Sequence, residues 1–476
     1  MIVRRRICRL RLVLALLAPF LYIGAASAGF VYRNRASNSP RRAAPLLPLP
    51  SLRPEDRLLV ISPHPDDETL ACGGLIQQAV EAGAQVRVLV LTNGDGFRVA
   101  AETAVRKLRV GPADYLRLGE QRQSETRSAL RRLGLSGRSV EFLGYPDGGL
   151  DAMWRDHWAP DRPYRSWTTG RLASADRTRA GSAPYAGESL LRDLRATLRA
   201  FRPTLVALPH PLDDHPDHAA ACAFATLAIW QEEGGASNEA GCRLLHYIVH
   251  RGDWPSPMAL RRDDALPPPA QMRATDTRWR SLELTPRQVE RKLAAIGEYA
   301  SQTAVMARFM KAFARRTECY GEIRVPRAAA LTDAPPSVAW PENDRWAWLR
   351  DPVSDNVVRD FEGGADIEAV GAARDESRLY LQVVTQEPLP RALRVRIHLR
   401  YFGDPKSGCA GGSYELALRT PRGVTPADLE ARSASHGVQV AIPLREIGYA
   451  RRVAARVETV YAGVRMDNTG YRFFDL

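Results

Sequence analysis

Between residues 57 and 249 the chain repeats one local pattern that few folds accommodate. Short apolar runs occur at 57–62, 86–91, 140–143, 204–208 and 244–249. Runs of this length without polar alternation mark strands buried on both faces, as in parallel sheets. Parallel neighbours cannot be joined by a tight turn and need a crossover, usually a helix. Helical periodicity fills each interval, at 69–82, 116–133, 190–201 and 219–230. The alternation predicts an α/β domain, a Rossmann-like doubly wound and mostly parallel sheet, over residues 57–330. Ligands of such sheets bind beyond the strand carboxyl ends. The residues just after Ser62, Leu91, Leu143, Leu208 and Val249 are therefore where chemistry is expected.

Two of those ends carry clusters of chemically active side chains. The first run leads into Pro63-His64-Pro65-Asp66-Asp67-Glu68. The fourth leads into Pro209-His210-Pro211-Leu212-Asp213-Asp214-His215-Pro216-Asp217-His218. Two histidines and a carboxylate around one point suit Zn²⁺, and three protein ligands leave a fourth position for water. Zinc makes hydroxide available near neutral pH and polarises a carbonyl. A free carboxylate beside it accepts the water's proton, and a second histidine protonates the leaving group. Pro216 suits the first position of a helix, with His215 as its cap and His218 in its first turn. A single His-Pro-Asp is an ordinary turn, and Asp217 alone would complement a helix N-terminus. Two such clusters at matched strand ends point instead to a metal site.

With those residues in view, the chain resembles the PIG-L/LmbE-like zinc-dependent N-acetylglucosamine deacetylases over most of residues 57–325. The paired histidine motifs carry the resemblance. In the family's order follow Leu70-Ala71-Cys72-Gly73-Gly74-Leu75, Leu91-Thr92-Asn93-Gly94-Asp95 and Arg122-Gln123-Ser124-Glu125. Phe142-Leu143-Gly144-Tyr145-Pro146-Asp147, Lys292, Ser301-Gln302 and Glu318 complete it. The resemblance implies that His64, Asp67 and His218 are the zinc ligands. It makes Asp66 the general base on the metal-bound water and His215 the general acid toward the amine, also steadying the oxyanion. Arg122 and Asp147 match positions implied in sugar binding. Some members carry a tyrosine two residues before the second motif; here that position is Asp213. Asp213 or Asp217 is then a candidate for orienting a histidine. His250 and Arg251 close another strand and either border the site or are structural. Gly94-Asp95-Gly96 reads as a turn; with no phosphate-cradling glycine loop, a nucleotide enzyme is not expected.

Around this domain the chain changes character. Arg4, Arg5, Arg6, Arg9 and Arg11 precede an uncharged run from Leu12 to Tyr32, so residues 1–35 read as a signal peptide or an N-terminal membrane anchor. Cleavage near Ala28 gives an exported, periplasmic or secreted protein; without it, one helix tethers the chain, facing the extracytoplasmic side. Residues 36–56 are a Pro/Arg-rich linker. Five of the formal +13 charges lie in residues 1–28, leaving +8 without a Lys-dense or basic–aromatic block. That distribution argues against nucleic acid and fits an anionic envelope surface. The six cysteines include no CxxC pair, and a Cys242–Cys319 disulfide is compatible with an oxidising compartment. Residues 151–187, rich in Trp, Tyr and Arg, read equally as a substrate-facing insertion or a surface excursion.

Residues 340–476 read as an all-β sandwich, from period-2 alternation in 379–384, 393–399, 438–443 and 457–461. Leu379-Tyr380-Leu381, Val440-Ala441-Ile442-Pro443-Leu444 and Asp467-Asn468-Thr469-Gly470 give this region a similarity to family-9-type carbohydrate-binding modules. Trp340, Trp346 and Trp348 would then stack on sugars or plug the seam between domains, the second being favoured because Trp is mostly buried. The implied activity is removal of an N-acetyl (N-acyl) group from an N-acetylglucosamine-type sugar, an envelope glycan or glycolipid. Two readings stay beside it: deacylation of a glycosylated small molecule, and a non-catalytic glycan-binding protein. Oligomeric state is not legible.

Overall fold

The computed structural model describes residues 46–476 except 108, 175–181, 236–240, 253, 334, 336–343, 353–354, 356–362, 405–410 and 420–428. The export segment, the first part of the expected linker and Trp340 lie outside the described residues. Among the described residues no helix is long and apolar enough to cross a membrane.

One eight-stranded sheet organises the first part of the chain. Its strands are β1 (Leu47–Pro48), β2 (Arg57–Ser62), β3 (Gln85–Thr92), β4 (Val140–Tyr145), β5 (Leu205–Pro209), β6 (Arg243–Tyr247), β7 (Arg278–Glu283) and β8 (Thr317–Glu322). They lie in the order β1-β7-β8-β6-β5-β2-β3-β4. β4, β3, β2, β5 and β6 are mutually parallel, with Leu58 opposite both Val86 and Leu205. β8 pairs antiparallel with β6 and β7, an extension that no apolar run announced. β1 falls inside the expected linker: it pairs with β7, and Leu49 beside it is buried.

Alternate strand residues serve opposite faces, which explains the unbroken apolar runs. Leu58 and Val60 pack in one core with α1 (Asp67–Glu81), α3 (Pro112–Arg132), α7 (Pro286–Gly297) and α8 (Ala300–Lys311). Leu59 and Ile61 pack in the other with α4 (Leu150–Arg155), α5 (Gly187–Phe201) and α6 (Pro216–Glu232). A further helix, α2 (Arg98–Val105), joins β3 to α3. Leaving β2, the chain builds β3 and β4 on one side and then returns to build β5 and β6 on the other. The crevice between β2 and β5 is therefore the point where the winding reverses, where such sheets bind ligands.

The remaining strands form two facing sheets around a shared apolar core. One holds β9 (Ala329–Ala330), β10 (Ala347–Arg350), β11 (Ile367–Arg374), β12 (Arg378–Thr385), β15 (Glu430–Ala434) and β16 (Gly437–Pro443). The other holds β13 (Leu393–Phe402), β14 (Gly412–Arg419), β17 (Arg452–Tyr461), β18 (Val464–Asn468) and β19 (Arg472–Asp475). β13 alternates as expected, but β12 and β17 are buried on both faces. Trp346, Tyr380 and Ala441 cover the outer face of the first sheet, and the second sheet lies against the α/β domain.

That seam corrects two expectations. Trp346 sits in the outer cluster, only 5% exposed, and so does not plug the seam, whereas Trp348 lies over Gly371 and lines a cleft shared with Arg243 and Arg278. The plug is Trp154 with Trp158, from the aromatic segment 151–187. Trp154 meets Phe224, Tyr471, Phe402 and Phe473 at ring-centroid distances of 4.9, 5.3, 6.1 and 6.3 Å. Arg400 lies 4.1 Å above the Trp158 ring, and Arg456 and the Tyr471 hydroxyl both donate to Asp151 at 2.6 Å. The Cys242–Cys319 disulfide is also overturned: both thiols are free. β6 and β8 meet antiparallel at His246 and Gly321, which places Cys242 about six residues, or ~20 Å, along the strand from Cys319.

Several resemblance residues turn out to hold the fold together. Lys292 Nζ and Glu318 Oε1 form a fully buried pair at 2.7 Å, and Glu318 also accepts the N–H groups of Gly74 and Leu75. A Cβ on Gly74 would lie 2.3 Å from Leu284 Cδ2, so only glycine lets α1 approach so closely. Removing one member of a buried pair strands its partner's charge. Lys292→Met is expected to lower stability by about 3–5 kcal/mol in urea unfolding, whereas Arg98→Gln, at an exposed pair, should leave the midpoint unmoved.

Candidate metal centre

Both histidine clusters occupy the crevice. After β2 the chain turns sharply into α1, with Asp66 at φ 121°, a region that side-chain-bearing residues rarely adopt and that costs about 1–3 kcal/mol. Buried Glu68 sustains this turn. It accepts the Asp66 N–H and the Ser62 hydroxyl, both at 3.1 Å, and the Tyr299 hydroxyl on its other oxygen. After β5, Pro216 begins α6 and His215 is its cap, with Nδ1 accepting the Asp217 N–H at 3.2 Å.

Three donor atoms converge from the two clusters. Asp67 Oδ2 lies 3.1 Å from His218 Nε2 and 3.3 Å from His64 Nδ1, and the two nitrogens are 3.3 Å apart. A tetrahedral ion bound at about 2.0–2.1 Å spaces its ligands about 3.3–3.4 Å apart, so this triangle has the dimensions of one face of a zinc site. Two nitrogens and one carboxylate oxygen also suit zinc chemically.

Behind each histidine stands a carboxylate. Asp213 Oδ2 lies 3.3 Å from His218 Nδ1 and accepts the N–H groups of Val249 and His250. Asp217 Oδ2 lies 3.3 Å from His64 Nε2, and its carboxylate accepts the N–H groups of Gly148 and Leu150. Asp147 Oδ1 is also 3.3 Å from His64 Nε2, while its Oδ2 accepts the Gly96 N–H. These contacts orient the rings so that the remaining nitrogens face each other. Asp213 and Asp217 thus both take the orienting position, and Asp147 supports His64.

The electrostatics follow from burying these charges together. Burial lowers His64 and His218, but the adjacent carboxylates outweigh it. Asp147 and Asp217 hold His64 well above its ordinary range, and Asp213 and Asp67 bring His218 to about 9. Burial raises Asp67, yet His218 and His64 hold it well below the usual carboxylate range. Burial raises Asp66; Arg122 opposes that shift, while Asp67 and Glu68 add to it. His215 is lowered by burial and by His64.

Other expected residues take less direct positions. Arg122 is buried and donates to Gly94 O, Pro65 O and Asp66 Oδ2 at 2.5, 2.6 and 3.1 Å, bracing the loops that carry the site. His210 lies apart, bonded to Thr277 and stacked on Trp279. Exposed Asp214 binds Arg251 and Gly252. His250 does border the site: its ring centroid lies 4.9 Å from that of His218 and 5.3 Å from that of His215, and it stacks on Phe309. Sequence reasoning did not single out Trp167, which lies beside Gly96 and Gly148, donates to Asp147 O at 3.2 Å and stays 54% exposed. Its only signal was the aromatic density of the 151–187 segment.

A cation can bind His64 and His218 only in their neutral forms. Because their carboxylate neighbours raise both, protons must leave both rings before a metal binds near neutral pH. Zinc affinity is expected to rise with pH between 6.5 and 8.5, by about tenfold per unit for each proton released, in chelator-competition titrations. Asp213→Asn should weaken zinc binding by about 10–100-fold in the same assay.

Residues 59–230 match the family model described as PIG-L, GlcNAc-PI de-N-acetylase. The 1D-myo-inositol 2-acetamido-2-deoxy-alpha-D-glucopyranoside deacetylase of Mycobacterium sp. (strain KMS) is 36% identical over 181 residues, covering 37% of this chain and 52% of that protein. The protein of the same name from Tsukamurella paurometabola is 30% identical over 266 residues, covering 52% of this chain and 84% of its own length. The chain spans about half the length of the first of these curated relatives. A solved structure of N,N'-diacetylchitobiose deacetylase from Pyrococcus horikoshii is 18% identical with a TM-score of 0.36, covering 56% of this chain and 84% of that one. The paired histidine loops, the family match and the 30% identity across most of the Tsukamurella protein place this chain in the PIG-L family.

Proposed function

We propose that this protein is a zinc-dependent hydrolase that removes the acetyl group from an N-acetylglucosamine-type sugar. The observation that carries the reading is the triangle of His64 Nδ1, Asp67 Oδ2 and His218 Nε2, with the buried carboxylate of Asp66 next in sequence to one corner. The names of the relatives supply the substrate class. Zinc held by those three residues would polarise the amide carbonyl and acidify water.

The remaining work falls to the chain's own side chains. Asp66 has one oxygen engaged by Arg122 and the other left to take a proton from the attacking water. As the water oxygen bonds to the carbonyl carbon, charge develops on the carbonyl oxygen. His215 was expected to be the general acid and to steady the oxyanion, and burial favours its neutral form. With Nδ1 occupied as an acceptor, its proton sits on Nε2, which suits donation to the developing oxyanion. When the carbon–nitrogen bond breaks, the proton held by Asp66 passes to the amine, giving acetate and the free amino sugar.

Half-exposed Trp167 offers an aromatic surface beside the site for the next sugar or aglycone of an extended substrate. Residues 1–35 and the dispersed +8 charge support an extracytoplasmic location and an envelope glycan or glycolipid. Sugar binding by the sandwich has less support, since Trp346 is buried.

Zinc-loaded protein is expected to release acetate from some member of a panel of N-acetylglucosamine oligomers, glycolipids and glycosylated small molecules. No release from any of them would favour the glycan-binding reading. Asp66→Asn should keep its zinc and lose about 10²–10⁴-fold in kcat; unchanged activity would sink the assigned base. His215→Gln, which retains an N–H donor, should stay more active than His215→Ala. Trp167→Ala should raise KM for extended substrates more than it lowers kcat.

A further inference from the structure

Away from the metal centre, where the sandwich meets the loop after β5, three aspartates converge against two arginines. Asp351 follows β10, Asp467 lies in β18, and Asp355 is close to Asp351 in sequence. One oxygen from each lies within 4.8 Å of the others. Asp351 is only 2% exposed, and neither of its oxygens has a hydrogen-bond partner among the described residues. Its closest cation, Arg472 Nη2, is 4.0 Å away, beyond hydrogen-bond reach. Arg251 engages one oxygen of Asp355, and Asp355 Oδ1 is left unbonded. Asp467 accepts the N–H groups of Ile367 and Asn468 at 2.8 and 2.7 Å.

A buried carboxylate bonded to nothing costs several kcal/mol unless a proton or a cation neutralises it. Neither oxygen of Asp351 meets a donor among the described residues, so none of them answers its charge by a hydrogen bond. The spacing instead suits an ion between the carboxylates, since oxygens bound at about 2.3–2.6 Å sit roughly 3.3–5 Å apart around a calcium-sized cation. Burial and mutual repulsion hold Asp351 and Asp467 well above the usual carboxylate range when no ion is present. We infer that Asp351, Asp355 and Asp467 form a second, structural site for a hard divalent cation of the calcium type. An all-oxygen donor set does not compete for zinc as the nitrogen-bearing centre does.

The site would also brace the metal centre. Arg251, which Asp355 holds, donates to Leu212 O at 3.0 Å and Asp214 Oδ1 at 2.8 Å, in the loop that leads to His215. On the sandwich side, Gly470 packs so closely that a Cβ there would lie 1.9 Å from Pro211 O. The ion would thus tie sandwich and loop together.

The test uses the full chain, stripped with a chelator, reloaded with one equivalent of zinc and titrated with Ca²⁺ by calorimetry and thermal unfolding. One further ion is expected to bind per chain, with a rise in Tm. Asp351→Asn should lose at least tenfold in Ca²⁺ affinity and lose the Ca²⁺-dependent rise, yet melt no lower than wild type in calcium-free buffer, because a repelling charge has gone. His64→Ala should keep the Ca²⁺ response, which separates this site from the zinc centre. Wild-type protein that binds neither Ca²⁺, Mg²⁺ nor Mn²⁺ beyond the zinc would overturn the inference, as would Asp351→Asn with unchanged Ca²⁺ affinity. If Asp351→Asn does not fold, Asp467→Asn and the wild-type stoichiometry decide.

Discussion

The Asp67 carboxylate is where the two halves of the α/β domain meet. One of its oxygens accepts the His64 backbone N–H at 2.9 Å and lies against the side chains of both His64 and His218. His64 belongs to the loop after β2 and His218 to the helix after β5, adjacent strands separated in sequence by β3, β4 and five helices. One buried carboxylate thus contacts imidazoles from both loops. The attraction between them raises the histidines and lowers the acid, so a cation must displace protons to take its place.

Around that point the structure answers each buried charge with another. Asp213 and Asp217 orient the histidines and are themselves fixed by backbone N–H groups. Glu68 holds the strained turn at Asp66, and Lys292 with Glu318 fastens α1 to the rest of the domain. Such a network is stable only when every member is present, because each loss leaves a charge in a low-dielectric interior. The aspartate cluster at the sandwich junction is the exception. Its negative charge exceeds what Arg251 and Arg472 supply, and this imbalance underlies the second cation site.

The sandwich contributes to the shape of the catalytic domain rather than hanging from it. Trp154 and Trp158 belong to the segment after β4, but Trp154 is buried against Phe402, Tyr471 and Phe473 of the sandwich and half-buried Trp158 packs on Phe402. Farther along the same segment Trp167 returns to the metal centre. One stretch of chain therefore serves both a seam and a site wall. Its composition suggested a substrate-facing insertion or a surface excursion and not the seam, because aromatic density is the same signal for each.

Much of the fold was legible because both its faces are buried: β2, β3 and β5 must be apolar throughout, and that leaves a mark in any window of six residues. The paired histidine clusters were legible because proline, histidine and aspartate at a strand end make a turn with ligands on it. The antiparallel extension β7–β8 was not, since Arg278–Glu283 buries only Trp279 and Leu282, while Thr317–Glu322 buries polar Glu318 against Lys292 from another element. Nor was the division of labour among the aspartates. Asp66, Asp67, Asp147, Asp213 and Asp217 are chemically identical in the sequence. Only three-dimensional proximity decides which faces a histidine nitrogen and which meets Arg122. Sequence alone determined the strand order's local ingredients and the kinds of ligand available. Tertiary structure decided which of them meet, because the sheet reverses its winding between β2 and β5 and so brings two distant loops to one crevice.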